Sequence, residues 1–241
     1  MKPPTISLII PAYNEEKYIG ECLDHAIKNS NGRLLEIIVV DNASTDRTKE
    51  IALKYEGVKV VREEKKGLTR ARQRGYEEGK GEILAYIDAD THMPKGWIDR
   101  VIKEFAHNDN LVCLSGPCLY YDFSNFEKFL TKIIYWYSIA MPMYFLVGYM
   151  VQGAGFAVKR DTLSEMGGFD TSIEFYGEDT NIARRASVFG KVKFKPSLQM
   201  YASARRFKDQ GLYKTTIIYM INYCSEVFIR KPVTEKYKDF R

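Results

Sequence analysis

Short apolar runs alternate with helix-period segments over the first 115 residues of the chain. The runs are typical of buried strands, and they occupy Ile6–Ile10, Ile37–Val40, Val58–Val61, Ile83–Ile87 and Leu111–Ser115. Between them, apolar side chains recur three or four positions apart, as in amphipathic helices. The predicted helices are Lys17–Asn29, a helix capped by Ser44 or Thr45 that ends near Gly57, Leu68–Glu78 and Trp97–Phe105. This alternation predicts βαβ units, and hence an α/β, Rossmann-like fold with a mainly parallel central sheet flanked by helices.

The second half of the chain has a different pattern. Ile133–Val158 is a run of 26 residues without a charged side chain, which is long enough to span a bilayer. Pro142 and Gly153-Ala154-Gly155 interrupt the run, so an interfacial helix or hairpin that dips into lipid, or a buried core helix, is favoured over a transmembrane helix. A second apolar stretch, Ile217–Ile229, has Lys or Arg on both sides. We therefore expect an apolar helical segment in this half of the fold.

The length and composition predict one folded domain. The 241 residues are 45% hydrophobic and 28% charged, which excludes a disordered chain, and no repeat or Gly/Ser-rich linker divides them. We divide the chain into residues 1–115, residues 116–207, and a basic, apolar C-terminal helix at residues 208–241. Residues 203–241 contain nine Lys/Arg and four Asp/Glu, and so account for the whole net charge of +5. Such a tail suits phosphates or an anionic membrane surface, although a solvated helix face explains it equally well.

Cysteine and histidine usage bears on the cellular compartment. The four cysteines form no CxxC pair and there are only three histidines, which argues against a structural zinc site and a disulfide framework. The apolar run at the N-terminus leads directly into polar residues, unlike a signal peptide. We expect a cytoplasmic protein, peripheral on the cytosolic face of a membrane, without a nucleic-acid partner.

Polar side chains follow three of the predicted strands. Asn14-Glu15 follows the first strand, Asp41-Asn42 the second and Asp88-Ala89-Asp90 the fourth. Parallel sheets bind ligands beyond the carboxyl ends of their strands, so these groups are the first candidates for chemistry. Two carboxylates one residue apart can hold a divalent cation whose other ligands are diphosphate oxygens and water. A DxD pair is a weak signal alone, because turn carboxylates are often only solvated, but its position after a buried strand strengthens it.

A second acidic element, Gly177-Glu178-Asp179, begins another predicted helix. A carboxylate at a helix start is often only a cap. However, Gly167, Gly168 and Gly177 precede this one, and glycines let the backbone approach a ligand closely. Asp179 could then act as a general base for a hydroxyl.

Arginines stand at positions 70, 72 and 74 of an earlier helix. Arg70 and the start of that helix suit a diphosphate. Arg72 points to another face, and solvent exposure explains Arg72 and Arg74 equally well.

Six motifs span most of the chain, from Thr5 to Phe207. They are SLIIPAYNEEKYIGECLDH, IIVVDNASTDRT, GLTRARQRG, YIDADT, GAGFAVKRDTLSEMGGFD and YGEDTNIARRA. In this order and spacing they resemble the motifs of family 2 glycosyltransferases with the GT-A fold. The resemblance implies an inverting, metal-assisted transfer of a sugar from a nucleoside-diphosphate sugar to an acceptor hydroxyl or lipid phosphate. It also implies a UDP- or GDP-sugar donor and Mg²⁺ or Mn²⁺ as the cofactor. Residues 1–115 would then be the nucleotide-binding half, and residues 116–207 the acceptor and catalytic half.

The resemblance also implies roles for individual residues. The residues that would bind the nucleotide sugar are Pro11, Ala12, Tyr13, Glu15, Asp41, Arg70, Asp88, Ala89, Gly153 and Gly155. Asp90 would bind the metal, and Asp179 would be the catalytic base with Glu178 as its companion. The stretch Met200–Arg206 lacks the histidine that some relatives supply as a further metal ligand. This departure leaves the metal to Asp90, phosphate and water, or weakens the dependence on metal. The QxxRW motif of processive synthases is absent, which favours transfer of one sugar per encounter.

The acceptor and the competing functions are less constrained. The uncharged run and the basic tail suggest a lipid-linked acceptor, such as a polyprenyl phosphate. A haloacid-dehalogenase-type phosphatase would need Thr or Val where His92 stands, and a Rossmann dehydrogenase would need a third glycine where Val158 stands. A non-catalytic protein that binds sugar nucleotides or a membrane remains the alternative, and the intact Asp90 and Asp179 argue against it.

Overall fold

The computed structural model describes residues 3–131, 136, 140–173, 176–230 and 233. Strands and helices alternate over most of these residues. In chain order the elements are β1 (Ile6–Ala12), α1 (Ile19–Ser30), β2 (Glu36–Asn42), α2 (Thr48–Ala52), β3 (Val58–Glu63), α3 (Leu68–Glu78), β4 (Ile83–Ile87), β5 (Thr91–His92), α4 (Trp97–Ala106), β6 (Leu111–Ser115), β7 (Cys118–Tyr120), α5 (Asn125–Leu130), α6 (Met141–Val147), β8 (Gly155–Lys159), α7 (Arg160–Glu165), α8 (Glu178–Ala186), β9 (Lys191–Phe194), β10 (Met200–Ala202), α9 (Arg205–Gln210) and α10 (Leu212–Phe228).

The main sheet has seven strands in the order β3-β2-β1-β4-β8-β6-β9. All its pairings are parallel except those of β8, which runs antiparallel to β4 and β6. One face of the sheet packs against α1 and α4, and the other against α3, α7 and α8, with a separate buried apolar cluster on each side. The predicted α/β fold with a mainly parallel sheet and flanking helices is therefore confirmed.

Several element boundaries differ from the sequence expectation, and two of the differences have a clear structural cause. Strand β1 continues through Pro11, which pairs with Val40, because proline fits extended backbone and lacks only its own N–H. The helix expected from residue 44 or 45 begins at residue 48 instead. In the loop before this helix, Ser44 Oγ accepts a hydrogen bond from the Asn14 backbone N–H, and the Thr45 backbone N–H donates to Asn14 Oδ1. These groups connect two loops of the sheet edge and are not available as helix caps.

The site is positioned by the point where the strand order reverses. From β1 the chain proceeds through α1 to β2 on one side, and β4 pairs with β1 on the other. Where the connections after two adjacent parallel strands run to opposite sides of the sheet, a crevice opens beyond the carboxyl ends of those strands. The segment after β1 carries Glu15, and the segment after β4 carries Asp88 and Asp90.

A second, three-stranded sheet lies beside this crevice, in the order β5-β10-β7. Strand β5, directly after Asp90, pairs antiparallel with β10, so that His92 lies opposite Tyr201. The backbone N–H of Ser203 then donates to the Asp90 carbonyl oxygen at 3.2 Å. This pairing brings the start of α9 next to the DxD segment, although the two are far apart along the chain.

The uncharged run 133–158 does not form one helix. Residues 133–135 and 137–139 of it lie outside the described residues. The remainder contains the short helix α6, which ends at Gly148 in a left-handed conformation (φ 83°), and the buried strand β8. Nowhere in the part of the chain that the structure describes is a helix long and apolar enough to cross a membrane. The long apolar helical segment expected from the sequence is thus not confirmed, since much of the run is strand and loop.

Candidate active site

A cleft of about 600 Å³ opens at the carboxyl ends of β1 and β4. Of the residues predicted for the site, those that line it are Pro11, Glu15, Asp88, Ala89, Asp90, Gly153, Glu178 and Asp179. The lining does not include Ala12, Tyr13, Asp41, Arg70 and Gly155. The fold therefore brings the DxD pair and the Glu178-Asp179 pair, which are remote in sequence, to one cavity.

The Glu178-Asp179 pair forms the first turn of α8. Gly177 precedes it with a φ of 81°, a left-handed conformation that favours glycine and turns the chain sharply into the helix. Glu178 is buried, whereas Asp179 is half-buried and lines the cleft. The Thr180 backbone N–H donates to Asp179 Oδ1 at 2.8 Å, which fixes the carboxylate against its own helix terminus.

Arg72 is the centre of the charged network behind these carboxylates. Its guanidinium forms an ion pair with Glu178, lies 3.4 Å from Asp88 Oδ1, and donates to the Gly153 carbonyl oxygen at 3.0 Å. The side chain is only 1% exposed, so the interpretation of Arg72 as a solvent-exposed arginine is wrong. Helix α3 turns this face toward the site, and the Phe156 ring lies 5.2 Å from the guanidinium carbon. Arg72 thus connects three separate segments of the site.

Burial raises the pKa of both neighbouring carboxyl groups. Loss of solvation raises the pKa of Glu178 to about 8, and the attraction of Arg72 only partly offsets this. Burial also raises the pKa of Asp179 above its usual value, again opposed by Arg72. The Glu178 carboxyl is therefore a weaker acid than an ordinary glutamate, and Arg72 holds it in place. Both residues line the cleft, and Asp179 is the more exposed of the two, with a basicity suited to accepting a proton.

We expect Glu178→Gln to flatten the dependence of stability on pH. Because the pKa of Glu178 is raised from 4.5 to about 8 on folding, the native state binds more protons than the unfolded state between these values. Stability from this group is complete below pH 4.5 and declines as the pH rises through 8. Urea denaturation at pH 6 and pH 9 should show the wild type losing stability relative to the Gln variant. An identical slope for the two proteins would contradict the raised pKa.

Asp90 and Glu15 share a second arginine, Arg205, the first residue of α9. Arg205 Nε lies 2.9 Å from Asp90 Oδ2, and Nη1 and Nη2 donate to the two Glu15 carboxylate oxygens at 2.8 and 2.6 Å. Glu15 is 2% exposed. Sequence reasoning considered this stretch only for a histidine and missed Arg205. The contact depends on the pairing of β5 with β10, which has no local sequence signal.

The donor set fits a divalent cation poorly. Among the residues that the structure describes, no group of three or more His, Cys, Asp or Glu side chains is arranged to hold a metal. Asp88 and Asp90 are the candidates, and each already contacts a guanidinium, that of Arg72 or of Arg205. A cation placed on either carboxylate would meet the repulsion of a positive charge within a few ångströms.

Two of the predicted nucleotide contacts lie next to the cleft rather than in it. Asp41 is fully buried beneath Arg62, whose Nη1 lies 2.5 Å from Asp41 Oδ2. The Tyr13 ring has the Lys66 ammonium 4.0 Å from its centroid. These pairs lie at the ends of β2 and β1, on the side of the sheet edge away from α8. Their roles in nucleotide binding stay predictions.

The two predicted glycines have different surroundings. A Cβ on Gly153 would lie 3.0 Å from Glu178 Oε1 and 3.2 Å from Arg72 Nη2, so any side chain at this position would crowd the buried ion pair. A Cβ on Gly155 would instead meet the side chain of Met200 at 3.0 to 3.2 Å. Gly153 therefore belongs to the wall of the cleft, whereas Gly155 permits close packing of β8 against β10.

The remaining wall of the cleft is apolar and comes from the second half of the chain. It includes Leu130, Trp136, Met143, Met150, Ile217 and Met220, with Tyr219 and Tyr223. The helices that supply this wall also carry large exposed apolar side chains. These are Phe126, Phe129, Phe145, Leu146, Ile217, Ile221 and Phe228. The cleft thus joins a charged end, at the carboxyl ends of the strands, to an apolar end.

Comparison with known proteins agrees with this architecture. Over 78% of its length the chain is 27% identical to the glycosyltransferase AglE of Haloferax volcanii, and covers 62% of it. Over 44% of its length it is 36% identical to a dolichol-phosphate mannosyltransferase of Pyrococcus furiosus, and covers 31% of it. The chain thus spans less than two thirds of the length of these relatives.

A solved structure supports the fold at lower sequence identity. The mannosyltransferase PcManGT from Pyrobaculum calidifontis, in complex with GDP-Man and Mn²⁺, superposes with a TM-score of 0.71 at 21% identity. The superposition covers 95% of this chain and 64% of that one. The family model for glycosyl transferase family 2 matches residues 7–167, which include β1 to β8 and the DxD segment. The chain therefore belongs to glycosyl transferase family 2 and has the α/β architecture of the GT-A glycosyltransferases.

Proposed function

We propose that this protein transfers one sugar per encounter from a UDP- or GDP-sugar to an acceptor, with inversion at the anomeric carbon. The observation that carries the proposal is the convergence of Asp88, Asp90 and Asp179 on one cleft. Family membership and the GDP-Man in PcManGT support the donor class. A protein that only binds the sugar nucleotide is disfavoured, because a half-buried carboxylate with a raised pKa is poised at the same cleft.

In this mechanism the donor diphosphate occupies the strand-end side of the cleft and the acceptor enters from the apolar side. Asp179 removes the proton from the acceptor hydroxyl as the oxygen attacks the anomeric carbon. Glu178, held by Arg72, keeps the start of α8 in place. The guanidinium groups of Arg205 and Arg206 line the cleft and stabilise the negative charge that grows on the departing diphosphate.

The Mn²⁺ in PcManGT supports the expectation that Mg²⁺ or Mn²⁺ binds at Asp90. The ion would lower the charge of the diphosphate leaving group. The contact of Arg205 with Asp90 opposes this assignment, and no step above depends on the ion.

The apolar wall supports an acceptor with a lipid part. Most of its residues come from α5, α6 and α10, and the same helices expose aromatic and aliphatic side chains. The name of the Pyrococcus furiosus relative, a dolichol-phosphate mannosyltransferase, points in the same direction. A polyprenyl phosphate or a lipid-linked sugar would place its tail along this wall and its polar head near Asp179, at the face of an anionic membrane.

Donor binding tests the proposal directly. Titration calorimetry with UDP, GDP and their glucose and mannose conjugates should show saturable binding to the wild type. Asp88→Ala should weaken binding by at least about tenfold, because it removes a polar contact in the donor half of the cleft. Asp161→Asn, on the exposed first turn of α7, is the matched control and should bind like the wild type. Absence of any nucleotide binding would overturn the proposed function.

Membrane association gives an independent test of the lipid acceptor. Phe145 and Leu146 of α6 are 74% and 75% exposed, and replacing both with Ser should reduce flotation with vesicles that contain anionic lipid. Val188, which is 81% exposed after the end of α8, is the control position, and Val188→Ser should leave flotation unchanged. Equal flotation of the α6 variant and the wild type, or no flotation of either at low salt, would contradict the proposed membrane face.

A further inference from the structure

The guanidinium of Arg205 is fixed by the two acidic residues of the donor half of the cleft. All three of its nitrogen atoms have carboxylate partners, with Nε on Asp90 and Nη1 and Nη2 on the two oxygens of Glu15. Planar two-point contact with a carboxylate is the strongest arrangement that an arginine forms. The Tyr18 ring lies 4.6 Å from the guanidinium carbon and adds a further contact. The arginine is thus positioned before any ligand arrives.

The ion pair between Glu15 and Arg205 is costly to break. Glu15 is 2% exposed and its backbone N–H donates to Thr48 Oγ1 at 2.7 Å, so the loop that carries it is anchored. A buried carboxylate that loses its counter-charge is strongly destabilised. Arg205 cannot move away from Asp90 to admit a divalent ion without weakening its contacts to Glu15. The charge at Asp90 is therefore already compensated by the protein itself.

We propose that Arg205 occupies the position at Asp90 that a divalent cation would take, so that this protein binds the diphosphate of its donor without a metal ion. The inference rests on the proposed function, because it concerns the same donor site. Arg206, the next residue, also lines the cleft. Two consecutive arginines bring the formal charge of one divalent cation to this wall, and guanidinium groups match phosphate oxygens in charge and geometry.

The decisive measurement is titration of the wild-type protein with UDP and GDP, once with Mn²⁺ and once with EDTA. We expect the dissociation constant of the better nucleotide to differ by less than about threefold between the two conditions. Loss of affinity of about tenfold or more in EDTA would overturn the inference and leave the proposed function standing. Absence of binding in both conditions would overturn the proposed function, and the inference with it. This comparison does not depend on whether any variant folds.

The variant Arg205→Ala tests the residue itself. In EDTA it should bind the nucleotide at least about tenfold more weakly than the wild type, because the diphosphate loses a guanidinium partner and meets the uncompensated carboxylates of Asp90 and Glu15. It should also bind Mn²⁺ alone more tightly than the wild type by electron paramagnetic resonance, because Asp90 and Glu15 are then free of the guanidinium. Lys208→Ala, which removes an exposed ion pair with Asp122 on the same helix, is the matched control. Nucleotide and Mn²⁺ affinities of a folded Arg205→Ala that equal those of Lys208→Ala would contradict the role of Arg205.

Discussion

Replacing Asp179 with Asn is expected to lower the turnover of sugar transfer to a hydroxyl acceptor by at least about a hundredfold. The amide has nearly the shape of the carboxylate, so the affinity for the nucleotide should stay within about threefold of the wild type. The loss would appear in kcat, because only proton removal in the transition state is affected. Initial rates with saturating donor, together with nucleotide titration of the same protein, separate the two effects.

The pH profile and the acceptor sharpen this test. Asp179 must be deprotonated to act, and burial raises its pKa above 3.8, so the activity should rise with pH along an acid limb that lies above the range of an ordinary aspartate. A phosphate acceptor is already anionic and needs no base. Unchanged turnover of Asp179→Asn with a hydroxyl acceptor would contradict its role as base. Unchanged turnover with a polyprenyl phosphate alone would identify the acceptor oxygen as that of a phosphate.

Replacing Arg72 with Met is expected to lower the free energy of unfolding by about 3–5 kcal/mol. The substitution keeps much of the side-chain volume but removes the charge shared by Glu178 and Asp88. It also removes the donor to the buried Gly153 carbonyl oxygen. Urea denaturation of the two proteins at pH 7 measures the difference. Nucleotide affinity should fall as well, because three segments of the cleft wall lose their common partner.

Arg74 on the same helix provides the matched control. It is 39% exposed and forms an i,i+4 ion pair with Glu78 at 2.5 Å. An exposed pair of this kind is worth less than about 1 kcal/mol, so Arg74→Met should leave both stability and nucleotide affinity almost unchanged. If the Arg72 and Arg74 variants were equally stable, the buried network would not have the energetic importance assigned to it.

Local pattern predicted the secondary structure of residues 1–115 well. Runs of apolar residues separated by helix-period segments suffice to predict the strands β1, β2, β3, β4 and β6. The spacing of apolar side chains within an element indicates whether a strand, or one face of a helix, is buried. The same reasoning placed the DxD pair at the end of β4, where parallel sheets bind ligands. It failed for residues 133–158, where freedom from charge indicated burial but could not distinguish a helix from the strand β8.

The partners of the acidic residues were decided only by the tertiary structure. From sequence, Arg72 was one of three arginines on a helix and Arg205 one of many in a basic tail. The packing of α3 on the sheet buries the first against Glu178, and the pairing of β5 with β10 sets the second against Asp90. Periodicity records which face of an element is buried, but an ion pair between distant segments depends on strand order and register. Those in turn are determined by the summed packing of the whole chain.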